Sequence, residues 1–300
     1  MSRIHEALKK AEQERAMSQP GSRVETTPAA VEVAEAATAA MPALSTAPVM
    51  SFNADSVLSQ ARQIRWAPDT NCMLFFNSEE HASGMEEFRT LRSRLYQARE
   101  KQPLSKILIT SALPKEGKSF TSANLAQVLA RQHGRRVLLI DGDLRNPQLH
   151  KLLGTDAGPG LFEYLRSEAD EFSILQRGPL ENLFFIPAGN YSANPAELLA
   201  NGRLRNLLNR LEATFDWIIV DSAPAVPVTD AVLMANDCDG VLLVVRSNST
   251  PTDAARRARR EFAERNVIGV VLNGITPELA PYMQYYYAAY GRDGQAESKN

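Results

Sequence analysis

Six short apolar runs separated by helical patterns constrain the fold more than any other feature. They are KILIT (106–110), RVLLID (136–141), NLFFIP (182–187), WIIVD (217–221), GVLLVV (240–245) and VIGVVLN (267–273). A strand that is apolar on consecutive residues must be covered on both faces, and the intervening helices supply that cover. The pattern therefore predicts an α/β fold with a mostly parallel sheet and helices on both sides. Ligands in such folds collect at the carboxyl ends of the strands. The glycine-containing and acidic motifs of this chain all fall at those ends.

The first run leads into ALPKEGKS (112–119) and then into the helical pattern SFTSANLAQVLARQHG. A strand, a loop ending in Gly-Lys-Ser and a helix together make a phosphate-binding loop. Its backbone N–H groups and the helix N-terminus cradle the anion. The expected cradle consists of Pro114, Lys115, Glu116, Gly117, Lys118, Ser119 and Phe120. Lys118 would put a point charge on the outer phosphates, and the Ser119 hydroxyl suits magnesium, a hard cation. Ala112 stands where the pattern has glycine.

Two further strand ends are acidic. Asp221 closes WIIVD, where an aspartate holds magnesium or its water in related nucleotide sites. Asp141 and Asp143 close VLLIDGDLR, a D-x-D-x-R arrangement that a simple nucleotide switch does not need. Such a pair can position a metal or accept a proton from an attacking hydroxyl. Arg145 either meets phosphate, stabilises Asp143 or makes an ordinary salt bridge.

Five of the eight tyrosines, Tyr282, Tyr285, Tyr286, Tyr287 and Tyr290, crowd nine residues near the C-terminus. A tyrosine hydroxyl is only about 0.1% ionised at neutral pH, so a neighbouring carboxylate would assist its attack on a phosphoryl group. The segment reads as a flexible substrate tail, with a short aromatic strand or an adhesive patch as alternatives. At the other end, residues 1–16 read as an amphipathic helix, either a surface helix or a docking peptide. Residues 17–80 read as an Ala/Pro-rich, largely disordered linker. Two distant cysteines, Cys72 and Cys238, exclude a disulfide framework, and four scattered histidines show no zinc spacing. A net charge of -2 gives no push toward nucleic acid, and the RRARR run (256–260) reads as a solvated helix face. No apolar run is long enough to span a bilayer, and no signal peptide is evident, so a cytoplasmic location is expected.

These motifs, taken in order, resemble the bacterial tyrosine kinase (BY-kinase) family of capsule and exopolysaccharide systems. The resemblance covers residues 81–291 and includes MEEFRTLR (85–92), NPAELL (194–199) and VVLNG (270–274). It implies a P-loop NTPase-like domain of the deviant Walker A, MinD-like branch over 81–281, followed by the tail at 282–300. It implies an ATP- and magnesium-dependent autokinase that phosphorylates its tyrosine cluster in trans. In that family Lys118 and Ser119 would bind ATP and magnesium, with Asp141, Asp143, Lys118 and Asp221 as the catalytic group. Asp143 would be the proton acceptor, while Ser119, Asp141 and Asp221 would place the metal. Asn273 either contacts the adenine or is a turn asparagine. Glu86, Arg89 and Arg92 match an E-x-x-R-x-x-R motif that implies a homo-oligomeric ring. The implied partners are a transmembrane activator of the chain-length-determinant type and a cognate tyrosine phosphatase, with no nucleic acid. The protein would then sit at the inner face of the plasma membrane through its partner. The opening MSRIHEALKKAEQER also resembles kinases of exosortase-linked loci. Lys115 stands where the family often has glycine, and it either adds charge near the phosphates or points to solvent. Leu113 stands where partition and cell-division ATPases carry a signature lysine, which weakens a ParA/MinD-type switch as the alternative. A catalytically weak ATP-binding scaffold of the export machinery is the other alternative.

Overall fold

The computed structural model describes residues 58–70, 72–76, 84–190 and 194–275. The expected N-terminal helix (1–16), most of the expected linker and the tyrosine tail (282–300) lie outside the described residues. The strands are β1 (Arg62–Gln63), β2 (Lys106–Ser111), β3 (Val137–Asp141), β4 (Gln176–Arg177), β5 (Leu183–Ile186), β6 (Trp217–Asp221), β7 (Gly240–Arg246) and β8 (Val267–Asn273). They form one eight-stranded sheet in the order β1-β4-β5-β3-β6-β2-β7-β8. Every pairing is parallel except β4 with β5. All six apolar runs are strands, with ends within a residue of those expected.

The helices among the described residues are α1 (Met85–Arg99), α2 (Lys118–Ala130), α3 (Leu149–Leu153), α4 (Leu161–Leu165), α5 (Glu171–Ile174), α6 (Pro195–Leu199), α7 (Arg203–Glu212), α8 (Asp230–Ala235) and α9 (Thr252–Glu261). Alternate strand residues feed two separate cores. Leu108, Leu138, Ile140 and Val220 face the core beneath α4 to α9, whereas Ile107, Ile109, Leu139 and Ile219 face the core beneath α2 and α3. This two-sided burial explains why the central strands are apolar throughout.

Helix α2 is buried at every residue except Phe120, because α1 lies over the side that the sheet leaves open. Phe88 of α1 packs against Phe120, with ring centroids 5.9 Å apart, and edge-on against Phe75 at 6.3 Å. At the far end of α1, Tyr96 meets the Trp217 ring edge-on at 5.4 Å and accepts its indole N–H at 3.1 Å. Arg99 stacks over the same indole at 4.8 Å.

The expected linker boundary at residue 80 needs correction. Within the supposed linker, β1 joins the sheet, and Trp66, Met73 and Phe75 are buried. Residues 72–74 are also clipped to α2. The Asn124 side chain accepts the Leu74 N–H at 2.9 Å and donates to the Cys72 carbonyl at 2.9 Å. The segment carries no clear periodicity because it is a strap, anchored by single large side chains rather than by a repeating face. Trp66 packs edge-on against Phe185, with centroids 6.2 Å apart. Trp66→Ala should therefore cost about 3–5 kcal/mol of stability, read as a lowered denaturant midpoint of the full chain. An unchanged midpoint would return the strap to linker status.

Candidate active site

The phosphate loop follows β2 and is closed by α2, as its spacing predicts. Gly117 takes φ +95°, and a Cβ there would run into the Asn273 amide nitrogen. Only glycine meets both demands. Lys115 also has a positive φ, +66°, which gives a physical reason why glycine would suit that position. Its side chain is exposed, and its carbonyl accepts from Arg246 at 3.0 Å. Ala112 is buried with no positive φ, so its backbone makes no demand for the missing glycine. Glu116 is buried and braces the loop from within. Its carboxylate accepts the Leu113 N–H at 2.8 Å and the Thr250 hydroxyl. Pro114 is exposed at the loop's tip.

The acidic strand ends β3 and β6 are neighbours in the sheet, with Asp141 directly opposite Asp221. Gly142 makes this approach feasible. Its N–H donates to the Asp221 carbonyl at 2.9 Å, and a Cβ would stand 2.6 Å from that same oxygen. Lys118 Nζ lies 2.7 Å from the Asp143 carboxylate and 3.5 Å from Ser119 Oγ. Ser119 Oγ donates to Asp221 at 2.5 Å, and Ser122 Oγ donates to the other Asp221 oxygen at 3.0 Å. Asp141 differs in its partners: its two oxygens accept the backbone N–H groups of Asp143 (3.3 Å) and Leu149 (3.0 Å). It therefore braces the loop between β3 and α3. Asp143 likewise accepts the Asn146 N–H at 3.0 Å.

Solvent exposure is 0% for Asp141, 2% for Asp143, 0% for Asp221 and 8% for Lys118. Three carboxylates thus face one ammonium in a place with little water. Burial pushes the Asp141 carboxyl well above the usual carboxylate range, and the neighbouring Asp221 charge adds to it. Burial raises Asp221 as well, against the opposing pull of Lys118. Burial alone would lower the Lys118 ammonium, but the charges of Asp221 and Asp143 outweigh it and hold its pKa above the ordinary value. Such a site has an unmet appetite for positive charge, and its oxygen donors suit magnesium. Among the described residues no cage of three or more His, Cys, Asp or Glu side chains exists. Magnesium's other ligands would be phosphate oxygens and water, its usual preference.

Other expected residues bond to different partners. Arg145 pairs with Asp230 of α8 through Nε at 2.7 Å and Nη2 at 3.0 Å, an ordinary salt bridge. Asn273 donates to the Glu116 carbonyl at 2.9 Å, which ties β8 to the phosphate loop. Phe120 turns away from the loop toward Phe88. On α1, Arg89 and Glu86 bond to each other at 2.9 Å on an exposed face, while Arg92 donates to the Val128 carbonyl of α2.

Comparison with known proteins places this geometry. A family described as an AAA domain matches residues 109–254. The tyrosine-protein kinase YwqD of Bacillus subtilis is 34% identical over 212 residues, spanning 70% of this chain and 88% of YwqD. The chain belongs to the bacterial tyrosine kinases. The kinase domain of the Escherichia coli tyrosine kinase ETK superposes with a TM-score of 0.62 at 33% identity, covering 64% of this chain and 76% of that domain. EpsB of Ralstonia nicotianae, 35% identical over 210 residues, is far longer: the match spans 69% of this chain and 28% of EpsB. The parallel α/β sheet expected from the strand pattern, and the P-loop NTPase-like fold that the resemblance implied, are therefore the fold of this bacterial tyrosine kinase. No helix among its described residues is long and apolar enough to cross a membrane.

Sequence reasoning missed several supports of this kinase site. Ser122 was recoverable, because it lies one helical turn beyond Ser119 on the same face. Asp230, Thr250 and Arg246 come from distant segments and carry no local signal. The central ion pair is testable without any activity. A double-mutant cycle combining Lys118→Met with Asp143→Asn should show coupling of about 3 kcal/mol in unfolding. Additive effects would mean that the pair contributes little to the site.

Proposed function

We propose that the chain is an ATP-dependent protein-tyrosine autokinase that phosphorylates its C-terminal tyrosine cluster in trans and regulates exopolysaccharide or capsule polymerisation and export. The observation that carries this reading is the meeting of Lys118, Ser119, Asp141, Asp143 and Asp221 at three adjacent strand ends. A nucleotide switch needs the phosphate loop and one aspartate, whereas the buried Asp143 adds a carboxylate beside the phosphate lysine. The chemistry that magnesium would supply here is positive charge against the carboxylates and the phosphates. Ser119 and Asp221 would hold the ion, with Asp141 fixing the loop that presents Asp143.

Lys118 would exchange Asp143 for the outer phosphates as the nucleotide enters. Asp143 then accepts the proton of an incoming tyrosine hydroxyl while the phenolic oxygen bonds to the γ-phosphorus. ADP leaves with the electrons of the broken bond, and Asp143 returns its proton to water. The attacking tyrosine would come from Tyr282, Tyr285, Tyr286, Tyr287 or Tyr290 of a neighbouring copy. Glu86 and Arg89 suit the contact between copies. Their mutual exposed pair is worth at most about 1 kcal/mol, so exchanging it for a partner's charges costs little. A transmembrane activator would bring the kinase to the inner face of the membrane, and a cognate phosphatase would reset the tail.

With labelled ATP, magnesium and the activator's cytoplasmic segment, label should appear on the tail tyrosines and vanish in Lys118→Met. Hydrolysis without labelled tyrosine would sink the kinase reading in favour of an ATPase switch. Asp143→Asn should lower the transfer rate about 10²–10⁴-fold with nucleotide binding retained, and normal transfer would remove its role. The triple change Glu86→Ala, Arg89→Ala, Arg92→Ala should give monomers on a sizing column, and an unchanged oligomer would discard the interface.

A further inference from the structure

The sheet ends on a strand that natural edges rarely resemble. Among the described residues, β8 pairs only with β7, so its outer N–H and C=O groups have no sheet partner. Long edges are usually blunted by charge, proline or a bulge. VIGVVLN holds no charged residue and no proline, and the one register shift lies at its start, opposite Val241/Leu242. Among the described residues the exposed large hydrophobics are also gathered here: Val270 is 61% exposed, Leu272 53% and Ile275 43%. Val270 and Leu272 stand opposite Leu243 and Val245, on the sheet face that α9 covers farther in. An apolar stripe and an open ladder at one place call for a strand.

The chain itself supplies one. Residues 274–281 follow β8, and YMQYYYA (282–288) comes next. Tyrosine is among the residues that favour strands. A parallel addition needs a crossover of about a dozen residues or more, whereas a hairpin needs only a short loop. The connection between Asn273 and Tyr282 is therefore long enough for an antiparallel return and short for a crossover. A tether of this length also gives the segment an effective concentration in the millimolar range, ahead of a second copy or a partner's strand at cellular levels.

We propose that residues 282–288 dock in cis as an antiparallel ninth strand on the outer edge of β8, beside Val270 and Leu272. In that position the tyrosines of one subunit are withheld from a neighbour's site. Phosphorylation adds about -1.5 to -2 charges per tyrosine next to an apolar stripe, so a modified tail stays undocked. The regulatory consequence rests on the kinase reading, but the docking does not.

Hydrogen exchange on the full chain tests the docking without any need for activity. The outward amides of β8 and those of 282–288 should be protected together. Tyr285→Pro, which breaks the added strand, should speed exchange in both segments at least tenfold, as should Val270→Lys with Leu272→Lys. If β8 exchange ignores Tyr285→Pro, the tail does not cover this edge. If protection instead rises with protein concentration, the occupant is a second copy and the proposal falls. The lysine pair should also raise trans-labelling of the tail several-fold, and release of the strand without faster labelling would overturn the regulatory part alone.

Discussion

The Lys118 ammonium, buried among Asp141, Asp143 and Asp221, is the interaction on which the rest of the site depends. Isolated charges of this kind are costly to bury, and they persist only when paired and hydrogen-bonded. Each member here has its own support. Asp141 is held by two backbone amides, Asp221 by two serine hydroxyls, and Asp143 by Lys118 and the Asn146 amide. The excess of carboxylates keeps the site short of positive charge, which suits a cation. Stability and ligand demand thus come from one set of atoms.

That set is held in register by the sheet. β2, β6 and β3 are adjacent, so the phosphate loop and both acidic ends project from the same edge at strand spacing. Around them the loop is tied down from three directions: Glu116 to Thr250, Lys115 to Arg246 and Glu116 to Asn273. The latter three residues all belong to β7, β8 and the turn after β7. The outer strands therefore stiffen the loop, and a change at the β8 edge has a short mechanical route to it.

The strap at 58–76 plays the matching part at the back of α2. Asn124 clips it to the helix that begins with Lys118, and its aromatic anchors reach both α1 and the sheet. It was illegible as structure because three isolated side chains, Trp66, Met73 and Phe75, carry it without a period. By contrast, Phe88, Leu91 and Leu95 stand at helical spacing along α1, where Phe88 and Leu95 are buried and Leu91 is half-buried. Arg145 shows the same limit: its charge was visible in the sequence, but Asp230, 85 residues away, decided its partner.

The sequence by itself determined six of the eight strands and the residues of the phosphate loop. Continuous apolar runs and a Gly-Lys-Ser helix start are local patterns, and local backbone physics reads them without help. It also marked Asp141, Asp143 and Asp221 as strand-end carboxylates. Only the tertiary structure decided how these groups meet. Strand order set Asp141 opposite Asp221, Gly142 allowed the backbones to close, and Lys118 was drawn to Asp143. It also decided which positions needed glycine: Gly117 did, because Asn273 crowds it, and Ala112 did not. Such outcomes depend on contacts between residues far apart in the chain, and no local period encodes them.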